Sequence, residues 1–216
     1  MVQRAAIALA IAWIAAVSAS VAQAAERPIK IVALGDSLMA GFQLPESAAV
    51  PAQLEQALRA KGFAVEIANA GVSGDTASGG LARLGWSVPD GTDAVILELG
   101  ANDMLRVVPP EVTRKALDEI IRQLKARNIV VMLCGMMAAP NLGPDFVRAF
   151  NPIYPELASN HGLVFYPFFL DGIAADPKLN QRDGLHPTAE GVAVIVKRML
   201  PKTEELIARV QTKRGS

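Results

Sequence analysis

Ile29-Lys30-Ile31-Val32-Ala33-Leu34-Gly35-Asp36-Ser37-Leu38 opens on a β-branched, apolar run and ends in a glycine-led turn. Val, Ile and Leu in such a run suit a strand buried on both faces, the pattern of parallel sheets. Gly35 lets the chain leave the strand sharply. Ser37 then sits near the start of the next helix, where backbone N–H groups favour negative charge. The ordinary role for a serine in this place is a helix N-cap.

The same alternation continues outward. Pro51 to Ala60 reads as a helix, with Pro51 in its first turn, Leu54 and Leu58 four apart, and Lys61-Gly62 as a stop. Val65 to Ala68 reads as a second strand and Ser78 to Leu84 as a short helix. Asp93 to Leu99 is a third, central strand. Pro110 to Arg127 carries an apolar stripe at Val112, Ala116, Leu117, Ile120, Ile121 and Leu124. Ile129 to Leu133 is a fourth strand. Asp145 to Asn160 reads as helical but broken by Pro152 and Pro155. Leu163 to Tyr166 is a fifth strand. Thr188 to Leu200 is a helix, with a separate last helix after Pro201. Strands separated by helices predict an α/β fold with a parallel sheet between helical layers. Ligands bind such sheets beyond the carboxyl ends of the strands, where Ser37, Gly74, Asn102 and Gly135 all fall.

The chain has 216 residues. Arg4, the apolar stretch Ala5 to Val21 and the small residues Ala22-Gln23-Ala24 have the layout of a cleaved secretory signal peptide over residues 1–24, an uncleaved membrane anchor being the alternative. That leaves one domain over 25–216 and implies a periplasmic or secreted protein, with no stable membrane insertion after cleavage. Lys plus Arg and Asp plus Glu each number 21, so no basic excess points to nucleic acid. The single cysteine, Cys134, cannot form an internal disulfide, and it follows the fourth strand as a core residue. No Cys/His cluster has metal-ligand spacing. There is no P-loop and no G-x-G-x-x-G, so the fold carries no nucleotide fingerprint.

The chemistry-bearing residues lie at the two ends of the domain. A serine hydroxyl becomes a useful nucleophile only beside a base that a third group orients. The chain has two histidines. His186 lies in Asp183-Gly184-Leu185-His186-Pro187, where Asp183 can accept from Nδ1 while Nε2 faces a serine. His161, beside Gly162, reads as a helix-end or surface residue. Acyl transfer also needs donors for a developing oxyanion, each worth roughly 3 kcal/mol. Gly74, in Gly71-Val72-Ser73-Gly74-Asp75-Thr76, offers an unobstructed N–H. Asn102, in Gly100-Ala101-Asn102-Asp103, offers a side-chain amide. Turn chemistry alone also favours these residue types. Gly71 to Asp75 misses G-x-S-x-G by one place, and S-x-x-K is absent.

Taken in order, Gly35-Asp36-Ser37-Leu38, Gly74, Gly100-Ala101-Asn102-Asp103 and Asp183-Gly184-Leu185-His186-Pro187 resemble the blocks of the SGNH, or GDSL, hydrolase superfamily. The resemblance runs over the whole mature chain and is nearest to the bacterial periplasmic arylesterase/thioesterase I/lysophospholipase L1 group. One departure is Ala101, where close relatives often carry a second glycine. The resemblance implies a three-layer α/β/α sandwich with a five-stranded parallel sheet, the flavodoxin-like SGNH fold. It implies Ser37 as nucleophile, His186 as general base and acid, and Asp183 as orienting carboxylate. The Ser37 N–H, the Gly74 N–H and the Asn102 side chain would form the oxyanion hole. The implied activity is hydrolysis of esters and thioesters through an acyl-enzyme, with no metal or organic cofactor.

Met136, Met137 and Leu142 in the loop after the fourth strand, with Leu105 opposite, suit walls for an acyl chain. Core packing explains the same residues equally well. Aromatic residues make up only 5% of the chain, which disfavours a carbohydrate groove. The expected partner is therefore a small ester or thioester, bound by a monomer. A carbohydrate O-deacetylase on the same scaffold, and a non-catalytic periplasmic lipid- or anion-binding protein, are the alternatives.

Overall fold

A computed structural model describes residues Arg27–Ser216. The expected signal peptide, residues 1–24, lies outside the described residues. Five strands form one parallel sheet in the order β2-β1-β3-β4-β5, with β1 Ile29–Gly35, β2 Val65–Gly71, β3 Ala94–Glu98, β4 Val130–Cys134 and β5 Val164–Tyr166. The order reverses at β1, between β2 and β3. The central strand β3 is buried at every position, so its Ala-Val-Ile-Leu-Glu sequence is apolar except at its last residue. The edge strand β2 alternates buried and exposed over its first four residues, because only one of its faces is fully covered.

The chain between strands folds into helices that cover both faces. These are α1 Ser37–Ala40, α2 Val50–Ala60, α3 Ala77–Ala82, α4 Leu84–Ser87, α5 Ala101–Leu105, α6 Pro110–Ala126, α7 Pro144–Phe150, α8 Ile153–His161 and α9 Ala189–Arg214. Helices α2 and α9 pack on each other and on the sheet, while α3, α6, α7 and α8 form the opposing layer. The result is the three-layer α/β/α architecture anticipated above.

Three differences from the sequence reading have physical causes. Pro201 lies inside α9 rather than between two helices. Its ring removes one hydrogen bond, yet the residues around it, Met199, Thr203, Leu206 and Ile207, are all buried. Burial of that continuous stripe outweighs one lost bond on the solvent side. On α6 the inward position is Thr113, not Val112. Thr113 is buried with its hydroxyl donating to Asp103 Oδ1 at 2.9 Å, and Val112 faces solvent. The segment after Gly143 breaks at Asn151-Pro152 into α7 and α8, as Pro152 predicts, but Pro155 breaks nothing: it falls in the first turn of α8, where its missing N–H costs little.

Candidate active site

The carboxyl ends of β1, β2 and β3 release three short loops onto the same side of the sheet. At the end of β1, Gly35 is required for space. A Cβ there would sit 2.6 Å from Met39 Cβ and 2.7 Å from Glu98 Oε2. Asp36 caps the short helix α1, its Oδ1 accepting from the Leu38 N–H at 2.9 Å. The N-cap is thus Asp36, and Ser37 occupies the first helical position with its side chain free to face outward. Leu38, Met39 and Ser37 are all largely covered.

Ser37 Oγ lies 2.8 Å from His186 Nε2, and His186 Nδ1 lies 2.7 Å from Asp183 Oδ2. These groups are 149 residues apart in sequence at their widest. Asp183 Oδ1 also accepts from the Leu185 and His186 backbone N–H groups at 2.9 and 3.0 Å. Partial burial raises the Asp183 pKa, but the His186 and Leu185 N–H groups and the imidazole outweigh it and hold the carboxyl at about 2. The imidazole is further held by Phe42, whose ring lies 4.4 Å away centre to centre at 36°. Gln181 fixes both sides of this contact, since its Nε2 donates to the Phe42 and Pro187 carbonyls at 2.8 and 2.9 Å.

Gly74 and Asn102 come to the same cavity. Gly74 takes φ +85°, the left-handed region that a side chain would strain. Arg106 Nη2 donates to the Gly74 carbonyl at 2.8 Å from the outer side. Asn102 Nδ2 donates to Asp36 Oδ2 at 3.1 Å, so its amide is fixed from below. Asp36 is buried, and burial pushes its carboxyl up to about 6 against the pull of Leu38 and Asn102. Beneath it Glu98, fully enclosed, is held above the usual carboxylate range by burial and by the Asp36 charge. Its Oε2 accepts from the Asp36 N–H at 3.3 Å.

The cavity above these groups measures about 320 Å³, in the range of small-ligand sites. Ser37, Gly74, Asn102 and His186 form its polar floor, and Phe42, Met104, Leu105, Met136, Leu170 and Leu185 supply apolar walls. Of the four residues expected against an acyl chain, Leu105 and Met136 line this cavity and Met137 and Leu142 do not. Met137 is turned to solvent, half exposed, because adjacent residues of the extended segment after β4 face opposite ways. Leu142 packs on the core from the 3₁₀ turn Pro140–Leu142. Gly135 serves the joint with β5 rather than the cavity. Its N–H and carbonyl bond to Tyr166 and Phe169, and Pro167 leaves no room for a side chain.

The sequence reading passed over Phe42, Met104, Leu170 and Leu185. Leu185 stands inside the Asp183–His186 block, and an apolar residue within that turn was the available signal. Phe42 and Leu170 carry no local pattern, because only the fold brings them to the histidine and the cavity. His161 is elsewhere, pairing with Asp118 at 2.6 Å on the surface of α8.

Residues 33–194 match the model of the GDSL-like lipase/acylhydrolase family. The chain is 40% identical to an arylesterase of Vibrio mimicus over 162 residues, covering 74% of this chain and 81% of the relative. It is 35% identical to the thioesterase 1/protease 1/lysophospholipase L1 of Escherichia coli K12 over 178 residues, covering 82% and 84%. A crystal structure of TesA superposes with a TM-score of 0.78 at 31% identity, over 82% of this chain and 99% of that one.

Proposed function

The chain belongs to the GDSL-like lipase/acylhydrolase family, and from that premise we propose that it hydrolyses esters and thioesters of acyl and aryl groups through Ser37, His186 and Asp183. The observation that carries this reading is the continuous hydrogen-bonded line Ser37 Oγ, His186 Nε2, His186 Nδ1, Asp183 Oδ2 at the floor of an apolar cavity.

Ser37 Oγ attacks the substrate carbonyl carbon as His186 Nε2 takes the hydroxyl proton. The carbonyl π pair moves onto oxygen, where the N–H groups of Ser37 and Gly74 and the Asn102 amide donate to it. The tetrahedral species collapses, and the alcohol or thiol leaves with the proton from His186. Water then attacks the acyl-enzyme, giving its proton to His186, and the carboxylic acid departs as Ser37 regains its proton. Asp183 keeps Nδ1 protonated and stabilises the imidazolium. All these groups come from one chain, so a monomer suffices.

The apolar walls favour an acyl or aryl group over a polyhydroxyl substrate, which supports ester and thioester hydrolysis rather than carbohydrate deacetylation. The signal-peptide pattern at residues 1–24 supports action in the periplasm or outside the cell. Among the described residues no helix is long and apolar enough to cross a membrane. The test is turnover of p-nitrophenyl esters and acyl-CoA by the wild type and Ser37→Ala. The variant is expected to lose at least about 10⁴-fold in kcat, in line with removal of a triad nucleophile. Retained turnover would reject the assignment.

A further inference from the structure

Three loops carry Ser37, Gly74 and Asn102, and bonds from neighbouring residues tie these loops in pairs beneath the cavity. Asp36 Oδ2 accepts from Asn102 Nδ2, joining the nucleophile turn to α5. Asp103, fully buried beside Asn102, accepts from the Ala77 N–H at 2.8 Å and so joins α5 to the segment that follows Gly74. The third side is closed by Arg83, at the joint of α3 and α4. Its Nε donates to Asp75 Oδ2 at 2.5 Å and its Nη2 to the Gly35 carbonyl at 2.9 Å. Its Nη1 donates to Ser87 Oγ at 2.9 Å, and the residue is only 6% exposed. One guanidinium therefore grips the residue after Gly74 and the end of the strand that leads to Ser37.

We propose that Arg83 is a positioning residue for the oxyanion site, setting the Gly74 N–H relative to Ser37 Oγ. This rests on the ester-hydrolase reading above. Burying a guanidinium is costly, and replacing a whole buried ion pair by apolar residues of similar volume is often neutral or stabilising, so such a pair is weak evidence for a purely stabilising role. What apolar packing cannot supply is a rigid fork that spans a carboxylate and a carbonyl at once. A lysine is a point charge on a flexible stem and cannot hold both acceptors in that geometry. The oxyanion donors act only when charge develops on the substrate oxygen. Displacing Gly74 therefore lowers kcat and leaves ground-state binding in place.

The experiment compares Arg83→Lys and Asp75→Asn with the wild type in the mature protein. It reads kcat and KM for a p-nitrophenyl ester, the melting transition, and inhibition by two alkyl ketones of equal chain length. A trifluoromethyl ketone accepts Ser37 Oγ at its carbonyl carbon, with the hydroxyl proton passing to His186 and the oxygen becoming an oxyanion. A methyl ketone binds without forming that adduct. Arg83→Lys should melt cooperatively, lose roughly 10- to 100-fold in kcat with KM within threefold, and bind the trifluoromethyl ketone more weakly by the same factor. Its affinity for the methyl ketone should not change. Asp75→Asn should show the same split at smaller size, and it decides the question if Arg83→Lys does not fold. Unchanged kcat in the folded variants, or equal weakening of both ketones, would overturn the proposal. If Ser37→Ala is inactive while both variants turn over normally, this inference alone fails. If Ser37→Ala still turns over, the hydrolase assignment beneath it fails.

Discussion

Asp36 shows how one side chain can serve two parts of a site. Its Oδ1 caps α1 through Leu38 and its Oδ2 holds the Asn102 amide, so it sets both the turn that carries the proposed nucleophile and a proposed oxyanion donor. Asn102→Ala should lower kcat by roughly 10²- to 10³-fold with little change in KM, because the amide is proposed to act on the oxyanion. A KM effect without a kcat effect would place Asn102 in substrate binding instead. The residues proposed for catalysis stood out in the sequence because each sits in a short block of Gly, Asp, Ser, Asn or His just after a strand or before a helix. Arg83 and Phe42 had no such signature. Arg83 falls inside the short helix read over Ser78 to Leu84 with nothing local to mark it, and only the approach of Gly35 and Asp75 makes it a buried clamp.

At the scale of elements, β1, β3, β4 and β5 were legible as mainly apolar runs bounded by turn residues, whereas β2 alternates and continues past the expected Ala68 to Gly71, its polar Asn69 masking the extension. Helix α9 was not legible as one element, since Pro201 signals a break that packing overrides. The C-terminal end of α9 is anchored by charge. Arg214 Nη2 donates to Asp93 Oδ2 at 2.7 Å, and Arg27 forms a two-pronged pair with the same carboxylate at 2.8 Å. Asp93, just before β3, therefore ties both ends of the described chain to the sheet. Burial raises its pKa, but Arg27, the Lys30 N–H and Arg214 outweigh that and bring the carboxyl to about 2 from an ordinary 3.8. A carboxyl depressed in the fold stabilises it above the unfolded pKa, and the contribution is lost as pH falls through the folded value. Asp93→Asn should therefore cost about 1–2 kcal/mol at pH 7, discounted for the exposure of Arg27. The gap from wild type should close between about pH 4 and pH 2 in denaturant unfolding. A gap that stays constant over that range would show that the charge contributes nothing.

For the molecule as a whole, the parallel sheet brings groups from both ends of the domain to one edge, and the same edge carries the apolar cavity. Its walls were legible only in part. Methionines at a strand end announce an apolar surface, but strand geometry decides that Met136 faces the cavity and Met137 faces solvent. If the cavity holds the acyl group, each methylene buried there should raise kcat/KM by about fourfold, from roughly 0.8 kcal/mol per group. The series from acetyl to medium-chain p-nitrophenyl esters should climb and then level once the chain outgrows about 320 Å³. A flat series would mean the acyl chain lies outside.

The most direct measurement is to label the purified protein with a fluorophosphonate and locate the adduct by mass spectrometry of its peptides. The account predicts one adduct, on Ser37, formed slowly in His186→Ala and absent from Ser37→Ala. An adduct on another serine, such as Ser73 in the same cavity, would contradict it.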